Sequence, residues 1–485
     1  GAVIIISIAL TYVELGSMFP ESGGMSRYAQ YSHGPLLGFI AAWANWISLV
    51  TLVPMEAVAA VQYMSSWPWS WANWTKNFIK NGDITFEGIG VVFIFMLIFT
   101  MINFWSVKIM THFTNLISIF KILLPTLTIV TLICSGFHEH NFGTNIHEFM
   151  PYGSRSIFEA TSVSGIIMSY DAFQTIINMG GELKNPRKNI VRGVLISMLI
   201  TAAIYIMLQV TFIGAVEPSM LAKVGWHGID FTSPFADLAI LMGINWLVIL
   251  LYLDAFVSPF GTGVAFVATA SRALAAMTHT CHLPKWLGRI NQKYMIPRYA
   301  MATDLILAVI LVSLFRNWNL LATVITASTL IAYLTGPVTV MTLRKIRPDL
   351  ARPFKPRYMP WLAPIAFVLT SLAIYWSMWP TTIQVILVIA LGLPIYFYYE
   401  IRYQHSDLKK QLHNCWWMIG YLIFMSFMSY IGSNGFGGQN WIKYPFDFVV
   451  IIVVSLLFYY WGVKSGRDQL DPYAEHIVQN KNKQK

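Results

Sequence analysis

The stretch IFEATSVSGIIMSYDAFQTIINMGGELKNPRKNI, residues 157–190, decides how this chain folds. Its apolar run is long enough to cross a membrane, but Gly165 and the sequence Ser169-Tyr170-Asp171 interrupt it near mid-membrane depth. Ser and Asp side chains compete for backbone hydrogen bonds, and unwound backbone is tolerated in a membrane only where it lines a cavity or is buried in protein. An ionisable residue at that depth marks a candidate functional site. These residues are compatible with a helix that is broken next to Asp171. A continuous helix in which Asp171 pairs with a neighbouring group is the alternative.

The composition around this stretch is that of an all-α polytopic membrane protein. Of the 485 residues, 56% are hydrophobic and 11% are charged, whereas soluble domains carry about 25% charged residues. Apolar runs of about 20 residues, the length that spans a bilayer as a helix, recur throughout. No polar stretch is long enough for a separate soluble domain, which excludes soluble multi-domain proteins. Thirteen apolar segments are expected at residues 1–18, 36–64, 88–110, 114–135, 157–179, 190–215, 236–271, 299–316, 320–343, 361–377, 380–399, 414–432 and 446–463.

The distribution of Lys and Arg predicts the orientation in the membrane. If the first segment runs from outside to inside, the inner loops and the tail carry 25 of the 32 basic residues and the outer loops carry six. The reverse orientation would violate the positive-inside rule. The net charge of +10 therefore reflects topology and does not indicate nucleic-acid binding. The odd number of segments and the apolar start at Gly1 lead us to expect a further transmembrane helix upstream.

One charged residue lies well inside an apolar segment. Lys121 occurs in HFTNLISIFKILLPTLTIVTLIC, residues 112–134. A charged amine in hydrocarbon costs about 2.5–3.5 kcal/mol on insertion scales, so such a residue usually faces a polar cavity. The alternative is that its long side chain reaches the headgroups.

Several classes of site are disfavoured. The cysteines Cys134, Cys281 and Cys415 show neither a metal-ligand spacing nor a disulfide framework. The histidines lie in loops or at segment ends, which disfavours a histidine-based intramembrane enzyme or metal site. No nucleotide-binding G-x-x-x-x-G-K-S/T motif is present, which disfavours ATP-driven transport by this chain. We expect neither enzymatic activity nor a cofactor.

Three motifs together carry a family resemblance. They are GELKNPRKNI at 181–190, YVELGSMFPESGGMSRYA at 12–29 and SRALAAMTHTCHLPKWLGRIN at 271–291. This combination resembles the amino acid–polyamine–organocation (APC) permeases, and along its whole length the chain is most similar to their bacterial aspartate–proton symporters.

The resemblance implies a fold of two inverted five-helix repeats, in which helices one and six are unwound at the substrate site. Counted in that order, the segments present are helices two to fourteen, and the first transmembrane helix is lacking. The implied division is a transporter core at residues 1–400, an additional C-terminal helix pair at 401–464 and a polar cytoplasmic tail at 465–485. We expect the tail from Asp468 onward to be disordered.

The resemblance also implies the site residues. Lys121 falls in the fifth helix, where some proton-coupled members carry a lysine, and becomes the candidate proton-coupling group. Asp254, in the eighth helix, is its candidate partner or a second protonation site, or else a structural acid. The substrate-binding residues carried over are Met168, Ser169, Tyr170 and Asp171 on the broken helix, and Ser258 on the eighth. The acids Glu56 and Glu14 are left as an ambiguous and a structural residue, respectively.

The resulting prediction is a proton-coupled amino-acid symporter in the plasma (inner) membrane, importing an amino acid such as aspartate or glutamate by alternating access. The partners would be the amino acid, the proton and the lipid bilayer. A carboxylate side chain prefers an Arg fork in a dry site, and no Arg lies mid-membrane here. Backbone donors, Asn, Ser, Thr or Tyr side chains, or the upstream helix would have to bind an acidic side chain instead. The alternatives are an amino acid/amine exchanger of the same family and, less favoured, an intramembrane enzyme.

Overall fold

The computed structural model describes residues 1–21, 23–105, 107–278, 283–294, 296–403, 407–471 and 474–475, with the side chains of 105, 107–116, 182 and 403 left aside. Cys281 therefore lies outside the described residues. The described chain is helical apart from one short hairpin, in which β1 (Ile79–Lys80) pairs with β2 (Asp83–Ile84). Helices α1 to α10 are Ala2–Met18, Met25–His33, Pro35–Ser65, Phe86–Trp105, Val107–Ser135, Ile146–Phe149, Gly153–Val163, Phe173–Asn178, Pro186–Ala215 and Pro218–Val224. Helices α11 to α20 are Pro234–Leu241, Asn245–Met277, Arg298–Leu314, Trp318–Tyr333, Thr335–Ile346, Met359–Tyr375, Thr381–Ala390, Leu393–Tyr403, Leu408–Ile431 and Phe446–Lys464.

The long apolar helices confirm a membrane protein. Within the described residues, eight helical stretches are long and apolar enough to cross a bilayer, and the shorter α1 and α16 are also apolar. Each predicted segment coincides with helical structure. The segment at 236–271, too long for one crossing, is divided into α11 and α12 by Gly243 at φ +71°. Helix α12 alone has 33 residues, or about 50 Å at 1.5 Å per residue.

The packing of the helices follows an inverted repeat. Helices α1, α3, α4 and α5 are matched five spans later by α9, α12, α13 and α14. The pair α3–α14 corresponds to α12–α5, the pair α3–α4 to α12–α13, and the pair α3–α13 to α12–α4, and all six pairs are in contact. The central pairs α3–α12 and α1–α9 correspond to themselves and also pack together. Helices five spans apart cross in opposite directions, so the fold is the all-α inverted-repeat architecture that the sequence predicts.

The predicted broken helix is present. Helix α7 ends at Val163, a 3₁₀ turn follows at Met168–Tyr170, and α8 begins at Phe173. Gly165 has φ +75°, in the left-handed region that glycine adopts without steric cost. The alternative of a continuous helix is wrong.

A buried ion pair fastens the predicted inner end of the fold. Arg344 on α15 donates from Nε to Glu14 Oε1 at 2.8 Å and from Nη2 to Oε2 at 2.6 Å. Arg352 approaches the same carboxylate at 3.4 Å. Glu14 on α1 is fully buried. It thereby ties α1 to α15 and to the loop that follows, which fits the structural role expected for Glu14.

The C-terminal helix pair, α19 and α20, packs on α16. The Tyr375 hydroxyl at the end of α16 donates to Asp447 Oδ2 of α20 at 2.7 Å, and it accepts from the backbone N–H of Ser433 at 2.9 Å. The start of the tail is also packed, since Leu470 and Ala474 are buried. The expectation of a disordered tail is therefore wrong for residues 468–471 and 474–475, and residues 472–473 and 476–485 lie outside the described part.

Candidate functional site

Lys121 occupies the middle of α5. Fourteen residues of the helix lie on either side of it, so its Cα is about 21 Å from each helix end. Its ammonium group donates a hydrogen bond to Thr262 Oγ1 on α12, and the Thr262 hydroxyl donates to the carbonyl of Ser258 at 3.1 Å. The side chain thus turns toward the neighbouring helix, away from the route to the headgroups.

Two carboxylates face this amine. Glu56 on α3 and Asp254 on α12 both interact electrostatically with Lys121. Neither forms a direct ion pair with it among the described residues. The Ser258 hydroxyl donates to Asp254 Oδ1. We call Glu56, Lys121, Asp254, Ser258 and Thr262 the amine cluster. One base and two acids in a partly desolvated interface can exchange protons among themselves and with water.

Prolines increase the polarity around the amine cluster. Pro125 lies inside α5 and Pro259 inside α12. Because proline has no N–H, the carbonyls four residues earlier, of Lys121 and Ala255, lose their helical hydrogen-bond donors. Backbone acceptors are thereby left beside the side chains of the cluster.

A cavity of about 270 Å³ adjoins the amine cluster. Asp254 and Ser258 form part of its wall, together with Tyr63 of α3, Pro125 of α5 and Phe235 of α11. Relative to Lys121 it lies toward the predicted outer side, because its lining residues on α3 and α5 follow Glu56 and Lys121 in helices that run outward. Its volume accommodates several water molecules or a small solute.

The broken helix places its predicted residues beside α14. The backbone N–H groups of Ser169, Tyr170 and Asp171 donate to carbonyls within the break at 3.0–3.1 Å. Ser169 Oγ donates to the Ile166 carbonyl at 2.8 Å, and the Tyr170 ring meets Tyr205 edge-on at 5.3 Å. Three of the four residues predicted to bind substrate at the break therefore have backbone N–H groups that already donate to neighbouring carbonyls.

Asp171 is enclosed more deeply than the sequence suggests. Its side chain is 2% exposed, and neither carboxyl oxygen has a hydrogen bond of ordinary geometry among the described residues. Thr329 and Tyr333 of α14 lie next to it, and Thr329 shares a hydrogen bond with Ser48 of α3. Buried polar groups are nearly always hydrogen-bonded, and the hydroxyl groups of Thr329 and Tyr333 are the donors beside this carboxyl group.

Three further buried side chains share this condition. Asn45, Gln174 and Tyr333 also have polar atoms without a partner in the described residues. Asn45 and Tyr333 lie one turn from Ser48 and Thr329, respectively, on antiparallel helices, which places them at the same level of the α3–α14 contact. We call Asn45, Asp171, Gln174 and Tyr333 the break cluster. No described contact joins it to the amine cluster.

Comparison with known proteins assigns the family. Residues 1–387 match the family model described as amino acid permease. The chain belongs to the amino acid permease family.

Curated relatives of this permease are transporters. The glutamate/serine transporter AimA of Bacillus subtilis (strain 168) is 49% identical over 466 residues, covering 96% of this chain and 86% of that protein. The aspartate-proton symporter of the same organism is 33% identical over 471 residues, covering 96% and 88%. The branched-chain amino acid permease BcaP is 24% identical over 426 residues, covering 84% and 86%. This permease is thus a multi-pass plasma-membrane protein related to amino-acid transporters, which points away from an enzyme.

Sequence reasoning missed several polar residues of this permease. Thr262, Asn45, Gln174 and Tyr333 are ordinary polar residues of the sequence, and the packing brings Thr262 to Lys121 and Tyr333 to Asp171. Their signal in the sequence was a polar residue within a span, which many structural residues share. Among the described residues, no group of three or more His, Cys, Asp or Glu side chains is arranged to hold a metal ion.

Proposed function

We propose that this permease is a proton-coupled amino-acid symporter in which Lys121 is the coupling group. The observation that carries the proposal is the position of its amine, at the centre of α5 and hydrogen-bonded to Thr262. The positive charge of a protonated amine there balances the negative charge of one of two carboxylates, Glu56 and Asp254. Loss of the proton leaves those acids uncompensated and weakens the contact between α5 and α12. Protonation of Lys121 therefore favours closure of this interface.

Asp254 is proposed as the exchange partner on the predicted outer side. It lies in the wall of the 270 Å³ cavity, which gives water a place next to the carboxyl group. Its hydrogen bond from Ser258 fixes the orientation of one oxygen. A proton arriving through the cavity reaches Asp254 first, and Lys121 lies one step further inside. The negative charge of Glu56, on α3, attracts the proton and keeps it within the amine cluster.

The proposed substrate is a small amino acid, with L-glutamate and L-aspartate as the first candidates and L-serine as the comparison. The names of the two more similar relatives support this choice. The proposed substrate contacts remain Met168, Ser169, Tyr170 and Asp171 at the break, with Ser258 on α12. Transport is assigned to residues 1–400, with 401–464 as an additional helix pair and 465–485 as the tail.

Uptake by the full chain in proteoliposomes tests the proposal. With labelled L-glutamate and L-aspartate outside, we expect accumulation that requires an inward proton gradient and that Lys121→Ala abolishes. Thr269→Val, a change on α12 outside the amine cluster, should leave this accumulation intact, because Thr269 donates to the Ala265 carbonyl of its own helix. Accumulation by Lys121→Ala that still follows the proton gradient would exclude the coupling role. Uptake that depends on internal amino acid and ignores the gradient would identify an exchanger instead.

A further inference from the structure

A second cavity lies far from both clusters. Its volume is about 360 Å³, and its walls come from the end of α2, the first turns of α19 and the segment after α20. His33, Lys410, Asn414, Arg467 and Asp468 are among its lining residues. All three wall segments are on the predicted cytoplasmic side. The cavity shares no residue with the amine cluster or the break cluster.

Hydrogen bonds hold the α2 and α20 side of this pocket in place. His33 donates from Nε2 to the Gly462 carbonyl at 2.9 Å, and its Nδ1 accepts from the Ser32 hydroxyl at 2.7 Å. The backbone N–H of Arg467 donates to the Ser32 carbonyl at 2.8 Å. The Arg467 side chain donates to Asp471 at 2.8 Å.

The α19 side is held in the same way. Gln411 donates from Nε2 to Glu400 at 2.6 Å and accepts from the Tyr396 hydroxyl. Glu400 is 3% exposed and Tyr396 is fully buried. The walls are therefore a built part of the fold, and the pocket does not depend on the surface position of a single side chain.

Several groups that line the pocket make no side-chain hydrogen bond or ion pair within the described residues. Asn414 is 5% exposed, lines the cavity and makes no side-chain hydrogen bond within the described chain. An amide group can donate two and accept two hydrogen bonds, so Asn414 can bind polar atoms of a molecule in the cavity. Lys410 and Asp468, also in the lining, take part in no ion pair among the described residues. One cation, one anion and a buried amide are thus available to a ligand.

The mixture of charges indicates the class of ligand. Asp407 and Asp468 disfavour a purely anionic molecule such as phosphate, and Lys410 and Arg467 disfavour a simple cation. A ligand with a carboxylate and an ammonium group on one carbon can pair with the cations and with the anions of the lining. Its remaining polar atoms can hydrogen-bond to Asn414. The volume is within the range of small-molecule sites. We propose that this pocket binds a zwitterionic α-amino acid.

The position of the pocket gives the site a regulatory role, and this part rests on the proposed function. An importer releases its substrate on the cytoplasmic side, so the product reaches the pocket as it accumulates. A bound amino acid links the end of α2 to α19, and α2 packs against α3 and α15. Occupancy then restrains helices of the transporter core, and accumulated product slows further uptake.

Equilibrium binding to the purified full chain tests the pocket. With labelled L-serine as the probe, we expect two sites per chain in the unchanged protein and one site in Lys410→Gln and in Asn414→Ala. Lys409→Gln is the matched control, because Lys409 is the preceding residue on α19 and does not line the pocket. It should retain both sites.

The outcomes separate this inference from the proposed function. An unchanged number of sites in both Lys410→Gln and Asn414→Ala overturns the pocket assignment, as does a site that inorganic phosphate occupies and L-serine does not. Binding that depends on Lys410 in a protein that shows no proton-driven uptake upholds the pocket and rejects the symporter. A circular-dichroism spectrum that matches the unchanged protein shows that each variant is folded.

Discussion

Neutralising Glu14 should destabilise the fold more than any other single acid-to-amide change at the predicted inner face. Glu14→Gln removes the negative charge that Arg344 approaches at 2.6 Å and Arg352 at 3.4 Å. Removing one partner of a buried ion pair costs about 3–5 kcal/mol, because the other charge remains buried and uncompensated. With an unfolding entropy of about 2.1 cal/mol/K per residue, a chain of this length loses about 1 °C in Tm per kcal/mol. We therefore expect Tm to fall by about 3–5 °C.

The assay can use the protein's own thiols. Cys415 on α19 is fully buried and Cys134 is exposed. In a Cys134→Ser/Cys281→Ser background, Cys415 is the one remaining thiol, and a thiol-reactive dye in detergent reports its exposure on heating. Tm is read from that curve with and without Glu14→Gln.

Asp349→Asn is the matched control for this measurement. Asp349 also pairs with an arginine, Arg347 at 2.9 Å, but its side chain is 61% exposed. Exposed ion pairs contribute about 0–1 kcal/mol, so its Tm should fall by at most about 1 °C. Equal shifts for Glu14→Gln and Asp349→Asn would refute the argument that burial makes the Glu14 pair important.

Three further changes test other parts of the structure. Gly165→Ala should reduce uptake and stability, because left-handed backbone costs a non-glycine residue about 1–2 kcal/mol and the new methyl group would lie 3.1 Å from Trp318; normal uptake would show that the break tolerates other geometry. Tyr375→Phe should lower stability by about 1–3 kcal/mol in the thiol assay, since Oδ2 of buried Asp447 loses its donor while Oδ1 keeps the backbone N–H of Phe448; an unchanged Tm would contradict this. Burial lowers the pKa of His33 to about 4, whereas an unfolded histidine titrates near 6.5. The unfolded chain thus binds the extra proton first, and stability should fall by about 3 kcal/mol between pH 6.5 and 4. His33→Gln should remove that part of the pH dependence, and an identical pH profile would disprove it.

Much of the fold was predictable from short stretches of the sequence. Apolar length located the spans, Gly165 with the polar residues after it left a break as one of two possibilities, and the family resemblance implied the broken helix and the inverted repeat. The same reasoning failed for the tail, because Leu470 and Ala474 are buried by contacts with distant segments. Composition of a short polar segment does not reveal such contacts.

The candidate site was predictable only in part. Lys121 was noticeable because an amine in an apolar helix is costly. Its acceptor Thr262 was not, because a threonine in a helix commonly bonds its own backbone. Asn45 and Tyr333 were not predicted for a different reason. Their importance depends on which face of α3 contacts which face of α14, and helical spacing does not determine this.

The inverted repeat relates the two helix pairs beside which the clusters lie. The amine cluster lies at the contact of α5 with α12, and the break cluster at the contact of α14 with α3, which is the corresponding pair in the other repeat. If a movement parted the first pair and admitted water to Lys121, the symmetry-related movement would part the second pair and admit water to Asp171. Hydration of a buried polar group offsets much of the cost of breaking a helix contact. The two conformations would then differ mainly in whether Lys121 or Asp171 is hydrated. Their free energies could stay close without any single strong interaction.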